Sequence, residues 1–409
     1  LEGKHVSPLR DTLVEGQPMT EPAAPWPHAR SSRDGIIAQF GASRADLVGC
    51  ALVTGDPLAD AVVEEIHSGQ PGVNAALNAG VRHGLESLTD APPAVVALLA
   101  STETRPASVD DELVDHGSAP FFSAPTPVHM VSLSAGALVR AYESPSIATV
   151  LATTGRLIDG AQRRLEETGK WLTAQMLPGA LRPGQPGYIA TLQVRMLHAH
   201  MRHLARSRGY DEAAFGAPIN QVDLARTWMD FTVTSYGFEE MLGYGYTASE
   251  LATLYRYWQF AANVLGIDHR LVEGISNNEQ ARRVDDLFQA VTGPPIEESG
   301  TLAAATINSM SSMMHDVINV PSGMAIPVLR ALVRRYHGDT MSDELRIPRA
   351  PAANTLLGPA IHVLRTRRAR LRQDAAAWQA AQEKNIATAR ELVHADPQPA
   401  AYEQQATQE

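Results

Sequence analysis

The chain has 409 residues, 44% hydrophobic and 19% charged, a folded composition long enough for one large domain or two ordinary ones. A formal net charge of −11 and an aromatic content of 6% argue against a nucleic-acid partner, which needs concentrated basic surface and stacking platforms. Cys50 is the only cysteine, so an internal disulfide and any multi-thiolate zinc or iron–sulfur site are excluded.

No apolar run reaches the ~18 residues of a membrane span. The chain opens on Leu1 rather than Met, which suggests a processed chain whose export signal would no longer be visible.

In chain order, residues 1–35 are rich in proline and polar residues ("GQPMTEPAAPWPHARSSRDG") and are expected to form an extended arm. "RADLVGCALVTGDPLADAVVEEI" follows with helical spacing of apolar residues. "AVVALLA" is a short apolar run that would suit either a strand or a buried helix. "SIATVLATTGRLIDGAQRRLEETGKWLTAQML" resumes the helical period, with Pro145 placed where a helix would begin. "LPGALRPGQPG" is a breaker that would fold this helix back on the next, "YIATLQVRMLHAHMRHLARS". Thr247 and Glu250 have capping-box spacing ahead of "LATLYRYWQFAANVLG". "IPVLRALVRRYHG" is helical again, and "DPQPAAYEQQATQE", residues 396–409, reads as a frayed tail. There is no internal repeat of 20 to 50 residues. The expectation is all-α, one domain over residues 36–395.

Three histidines in six positions, His198, His200 and His203, raise the question of a metal site. At about 100° per residue, Thr191, Val194, Arg195, Met201, Arg202 and Ala205 share the His198 face. His200 points the opposite way and His203 well off the face, so the three cannot hold one metal together. One imidazole with apolar neighbours and two arginines is what a haem asks of a helix: an axial ligand, a greasy wall and cations for the propionates. The plain alternative is a half-buried histidine between arginines that reach solvent. On the preceding helix, Arg164 shares a face with Leu157, Gly160, Ala161, Glu167, Thr168, Trp171 and Gln175. The small residues there suit close approach of a ligand, unless the face is simply solvated.

Four stretches, "TTGRLIDGAQRRLEETGKW", "TLQVRMLHAHMRH", "APINQVDLARTWMDFT" and "LYRYWQFAANVLGID", resemble the latex clearing proteins, the b-type haem rubber oxygenases of the DUF2236 group. They lie between about Ser144 and Asp268, and "LRIPRAP" extends the likeness towards the C-terminus. The resemblance implies an enlarged globin-like helical core around haem b, with His198 as the iron ligand and Arg195 and Arg202 flanking it. Arg164 and Thr168 would stand on the oxygen side. The activity it implies is cleavage of the double bonds of poly(cis-1,4-isoprene) by dioxygen, giving oligo-isoprenoids with aldehyde and ketone ends. A monomer outside the cell is expected, because such a polymer cannot be imported.

Two departures stand out. Glu167 occupies the place of a family lysine that can cap the iron, so an empty or water-bound distal position is expected. The family's distal glutamate has no counterpart near Ala148 and Thr149; there is no acid between Glu143 and Asp159. Either Glu167 is the substitute base, since a carboxylate in a dry pocket can exchange protons near neutral pH, or the activity is reduced or redirected.

Alternatives are a haem protein of the same fold without polymer cleavage, a non-haem metal hydrolase on His200, His203 and Glu166, and a helical protein without cofactor. The methionines of "INSMSSMMHDVINVPSGM" would suit either a greasy channel or core filling. Trp228, Tyr255, Tyr257 and Trp258 are expected in the core, and "RTRRARLRQ" as a solvated face or a helix-end contact.

Overall fold

A computed structural model describes residues 25–153 and 160–394. Those residues form helices and connecting turns, with no strand among them, and one apolar core runs from Ile36 to Ala389. The "AVVALLA" run is helical, within Pro93–Glu103. The tail at 396–409, Leu157 and Asp159 lie outside the described residues, as does most of the expected arm.

The arm expectation needs correcting from Trp26 onward. His28 and Ala29 donate backbone hydrogen bonds to Ala213 and Ala214, and Arg30 is buried against Asp223, Nη2 to Oδ2 at 2.8 Å. A buried ion pair and a backbone ladder fix this stretch, so its polar composition marks a docked segment. Helix begins at Arg33, capped by Ser32.

Local signals behave as their chemistry requires. Pro145 opens Pro145–Thr153, and Thr247 and Glu250 form the capping box of Ala248–Leu265. Two continuous periods are interrupted. The "RADLVG…VVEEI" run splits into Ala42–Val53 and Pro57–His67, because Asp56 caps the second helix and Pro57 takes its first position. The arginine-bearing helix starts only at Ala161, after Gly160 at φ 89°. Gly160 is therefore a left-handed helix entry, with no neighbour within 4 Å of an added Cβ among the described residues.

Two helices frame the site: the arginine helix Ala161–Met176 and the histidine helix Pro186–Ser207. The connector of residues 177–185 folds them against each other. Their contact is tight enough that a Cβ on Gly187 would lie 2.6 Å from the carbonyl oxygen of Ala174, so only glycine fits there. Trp171 Nε1 donates across the seam to Thr191 Oγ1 at 3.3 Å.

Behind the site, two π-helical turns, Ser132–Leu138 and Asp230–Thr234, pack on each other. His337 Nε2 bonds the Ala135 and Gly136 carbonyls of the first at 3.2 and 3.1 Å. Such turns leave carbonyls outside the regular ladder, and here a histidine satisfies them.

Candidate active site

A cavity of about 290 Å³ lies between the two helices. The arginine helix gives it Arg164, Glu167, Thr168 and Trp171; the histidine helix gives Val194, Leu197, His198 and Met201. Ser146, Ile147, Val150 and Leu151 come from Pro145–Thr153, and Ile219, Leu224, Trp228, Phe231, Trp258, Leu265 and Ile267 complete an apolar wall. The arrangement brings together His198, Arg164, Glu167 and Thr168, four of the six site residues that the family resemblance implied.

His198 lines the cavity with its Nδ1 buried and without a partner among the described residues, which leaves Nε2 as the nitrogen that meets the cavity. Burial, then the nearby Arg202 guanidinium, lower its pKa to about 4, with Asp56 opposing. The imidazole is therefore neutral at physiological pH and keeps the lone pair a metal needs. A neutral imidazole in a largely apolar enclosure, with no hydrogen-bond partner on Nε2 among the described residues, fits a haem that His198 would hold.

Arg195 and Arg202 are placed differently from the expectation. Arg195 binds Asp56 through Nε and Nη2 at 2.6 and 3.0 Å, and Arg202 Nε binds Asp60 at 2.7 Å. Neither lines the cavity. Helical phase explains the split. Val194, Leu197 and Met201 lie about 40–100° to one side of His198, while Arg195 and Arg202 lie about 40–60° to the other. The arginine side turns to helix Pro57–His67, whose Asp56 and Asp60 pair with it. Gly266 is part of this clamp: at φ 75° its Cβ position would collide with Arg195 Nε and Asp56 Oδ2.

Glu167 accepts from Arg163 Nε through Oε1 at 2.7 Å, its side chain 17% exposed, so Oε2 is the oxygen left for chemistry. Glu143 is turned away, bound by Arg226 Nη2 at 3.0 Å and Gln289 Nε2 at 2.7 Å. Ala148 packs with Tyr142 and Leu302 in a separate cluster.

A second carboxylate on the wall, Asp223, was not foreseen. It receives Arg30, Ser146 Oγ at 2.5 Å and Asn220 Nδ2 at 2.8 Å, and Tyr210 OH joins Ser146 at 3.0 Å. The one sequence signal was Asn220, which caps helix Gln221–Met229. With its oxygens occupied by donors, Asp223 anchors the N-terminal segment to the wall. Glu167 is the less encumbered acid of the described lining.

His200 and His203 gather instead with His67, rings 6.1 and 4.0 Å apart. Glu166 bonds Gln162. Among the described residues no three His, Cys, Asp or Glu side chains converge as a metal site, so the hydrolase alternative lacks a ligand set there. Met310, Met313 and Met314 pack in the core, Met324 is exposed, and none lines the cavity. Arg368 stacks over Tyr244 and Trp378, and Arg372 pairs with Glu250; these are helix-end contacts. No helix among the described residues is long and apolar enough to cross a membrane.

A solved structure titled "Structure of Latex Clearing Protein LCP in the closed state" superposes with a TM-score of 0.61 at 17% identity, covering 82% of this chain and 91% of that one. At that identity the likeness is one of fold. No curated protein matches the chain. A family model described as "ER-bound oxygenase mpaB/B'/Rubber oxygenase, catalytic domain" matches residues 125–369, a span that holds both cavity helices. The chain belongs to this oxygenase family.

Proposed function

We propose that this oxygenase binds haem b on His198 and cleaves the double bonds of poly(cis-1,4-isoprene) with dioxygen, giving oligomers that end in an aldehyde and a ketone. The observation that carries the reading is a neutral imidazole lining one largely apolar cavity with Arg164, Glu167 and Thr168.

The haem, when bound, supplies the activation of dioxygen. Every other part falls to the chain. The Ile147, Val150, Leu224 and Phe231 walls hold an alkene by burial alone and keep water out. Arg164 directs positive charge into a space of low dielectric, where it stabilises developing negative charge far better than in water. The Thr168 hydroxyl can donate or accept one turn further along the same helix. Glu167 Oε2 takes a proton from the reacting group and returns it, while Arg163 steers the carboxylate from the outer side.

Purified protein should show a Soret band that His198→Ala abolishes. Incubation with cis-polyisoprene latex under air should release carbonyl-ended oligomers, measured by liquid chromatography after hydrazone formation. Colourless, folded protein from haem-supplied cells would overturn the reading. Pigmented protein that leaves latex intact would assign it to the haem proteins of this fold without polymer cleavage.

A further inference from the structure

Two buried polar atoms on the histidine helix have no hydrogen-bond partner among the described residues: His198 Nδ1 and, one turn on, Arg202 Nη2. The rest of the Arg202 guanidinium is held, Nε by Asp60 at 2.7 Å and Nη1 by the Ile219 carbonyl at 3.3 Å. If Nε2 binds iron, Nδ1 carries the proton. Metal-bound histidines ordinarily donate that proton to a carboxylate or carbonyl, which makes the imidazole a stronger ligand and favours the oxidised metal. Among the described residues no such acceptor stands against His198 Nδ1. Asp56, the carboxylate of the neighbouring clamp, is bound at both oxygens by Arg195, while Arg202 is buried one turn from His198 with Nη2 unpaired among the described residues.

We infer that Arg202 is a positioning residue for the iron's oxidation state: a cation behind an imidazole that has no acceptor, it keeps the ligand weak and the iron ferrous. This rests on the assignment of His198 as haem ligand. The ferrous state is the one that takes up dioxygen, so the clamp between the histidine helix and Pro57–His67 serves the chemistry as well as the fold. Its signature would set the site apart from haem proteins whose axial histidine is hydrogen-bonded to a carboxylate.

The test is a spectroelectrochemical titration of the full-length, haem-loaded protein, with two variants of opposite expected sign. Arg202→Met removes the cation and leaves Asp60, whose side chain is 27% exposed, to water. The ferrous-to-ferric ratio at fixed potential should fall about tenfold, a midpoint shift of about 59 mV for one electron. Asp60→Asn unmasks the cation and should move the midpoint upward. General loosening of the fold would not produce shifts of opposite sign. Should Arg202→Met fail to fold, Asp60→Asn still decides the matter. The iron–histidine stretch of the ferrous protein, by resonance Raman, should report a weak, neutral ligand.

Midpoints that stay fixed or move together, or a stretch typical of an anionic imidazole, would overturn the inference in pigmented protein. Protein that takes up no haem overturns the assignment of His198 and this inference with it.

Discussion

Replacing Asp56 by alanine separates a scaffold role of Arg195 from a ligand role. The Asp56 and Arg195 side chains are each 4% exposed, and the pair makes two hydrogen bonds at 2.6 and 3.0 Å. Asp56 Oδ1 also caps helix Pro57–His67 through Ala59 N at 3.3 Å. After truncation the guanidinium keeps only the Val264 carbonyl, at 3.3 Å. Breaking a buried pair by removing one partner costs about 3–5 kcal/mol and losing a cap about 1 kcal/mol. Both effects come from one carboxylate and overlap, so about 4 kcal/mol in total is expected. With unfolding entropy near 2.1 cal/mol/K per residue over roughly 360 residues, that is a fall in melting temperature of about 5 °C. Circular-dichroism melts of haem-free and haem-loaded protein measure it. The double variant Asp56→Leu, Arg195→Met should recover most of the loss, because an apolar pair leaves no charge unpaired. An Asp56→Ala protein that melts with wild type while its haem affinity drops would refute the reasoning and return Arg195 to the ligand.

In haem-free protein, His198→Leu removes a buried polar nitrogen that has no partner among the described residues and should raise stability by about 1–3 kcal/mol, read from urea unfolding, while the variant takes up no haem. Glu167→Gln keeps the contact to Arg163 but cannot carry a proton; turnover should fall about 10²- to 10⁴-fold with haem content per chain unchanged. Acid should weaken the fold through His337, which burial lowers to about 4. Its folded pKa is below the unfolded value of 6.5, so its contribution is complete above about pH 6.5 and is lost as pH falls towards 4. Between pH 7 and 5 that amounts to about 2 kcal/mol, and His337→Gln should flatten the pH dependence of urea unfolding over that interval.

What shares a helix face was legible in the sequence, because phase is a local property. Counting residues put Arg164, Glu167, Thr168 and Trp171 together, separated His198 from His200 and His203, and located the breaker that folds the two helices back. Caps were equally legible at Pro145 and at Thr247 with Glu250. The end of the N-terminal segment, from Trp26, was misread because composition cannot reveal that Arg30 reaches a buried carboxylate 193 residues away.

The same limit governed the arginines. Phase put Arg195 and Arg202 near His198, but which flank of the face opens on the cavity depends on what packs there. Asp56 lies 139 residues from Arg195 in sequence, and only folding brings helix Pro57–His67 alongside to claim both cations. The sequence by itself determined an all-helical chain and the residues able to face a ligand. The tertiary structure alone decided which cations pair with helix Pro57–His67 and which side chains line the cavity, since a charge takes its partner from whatever is nearest in space.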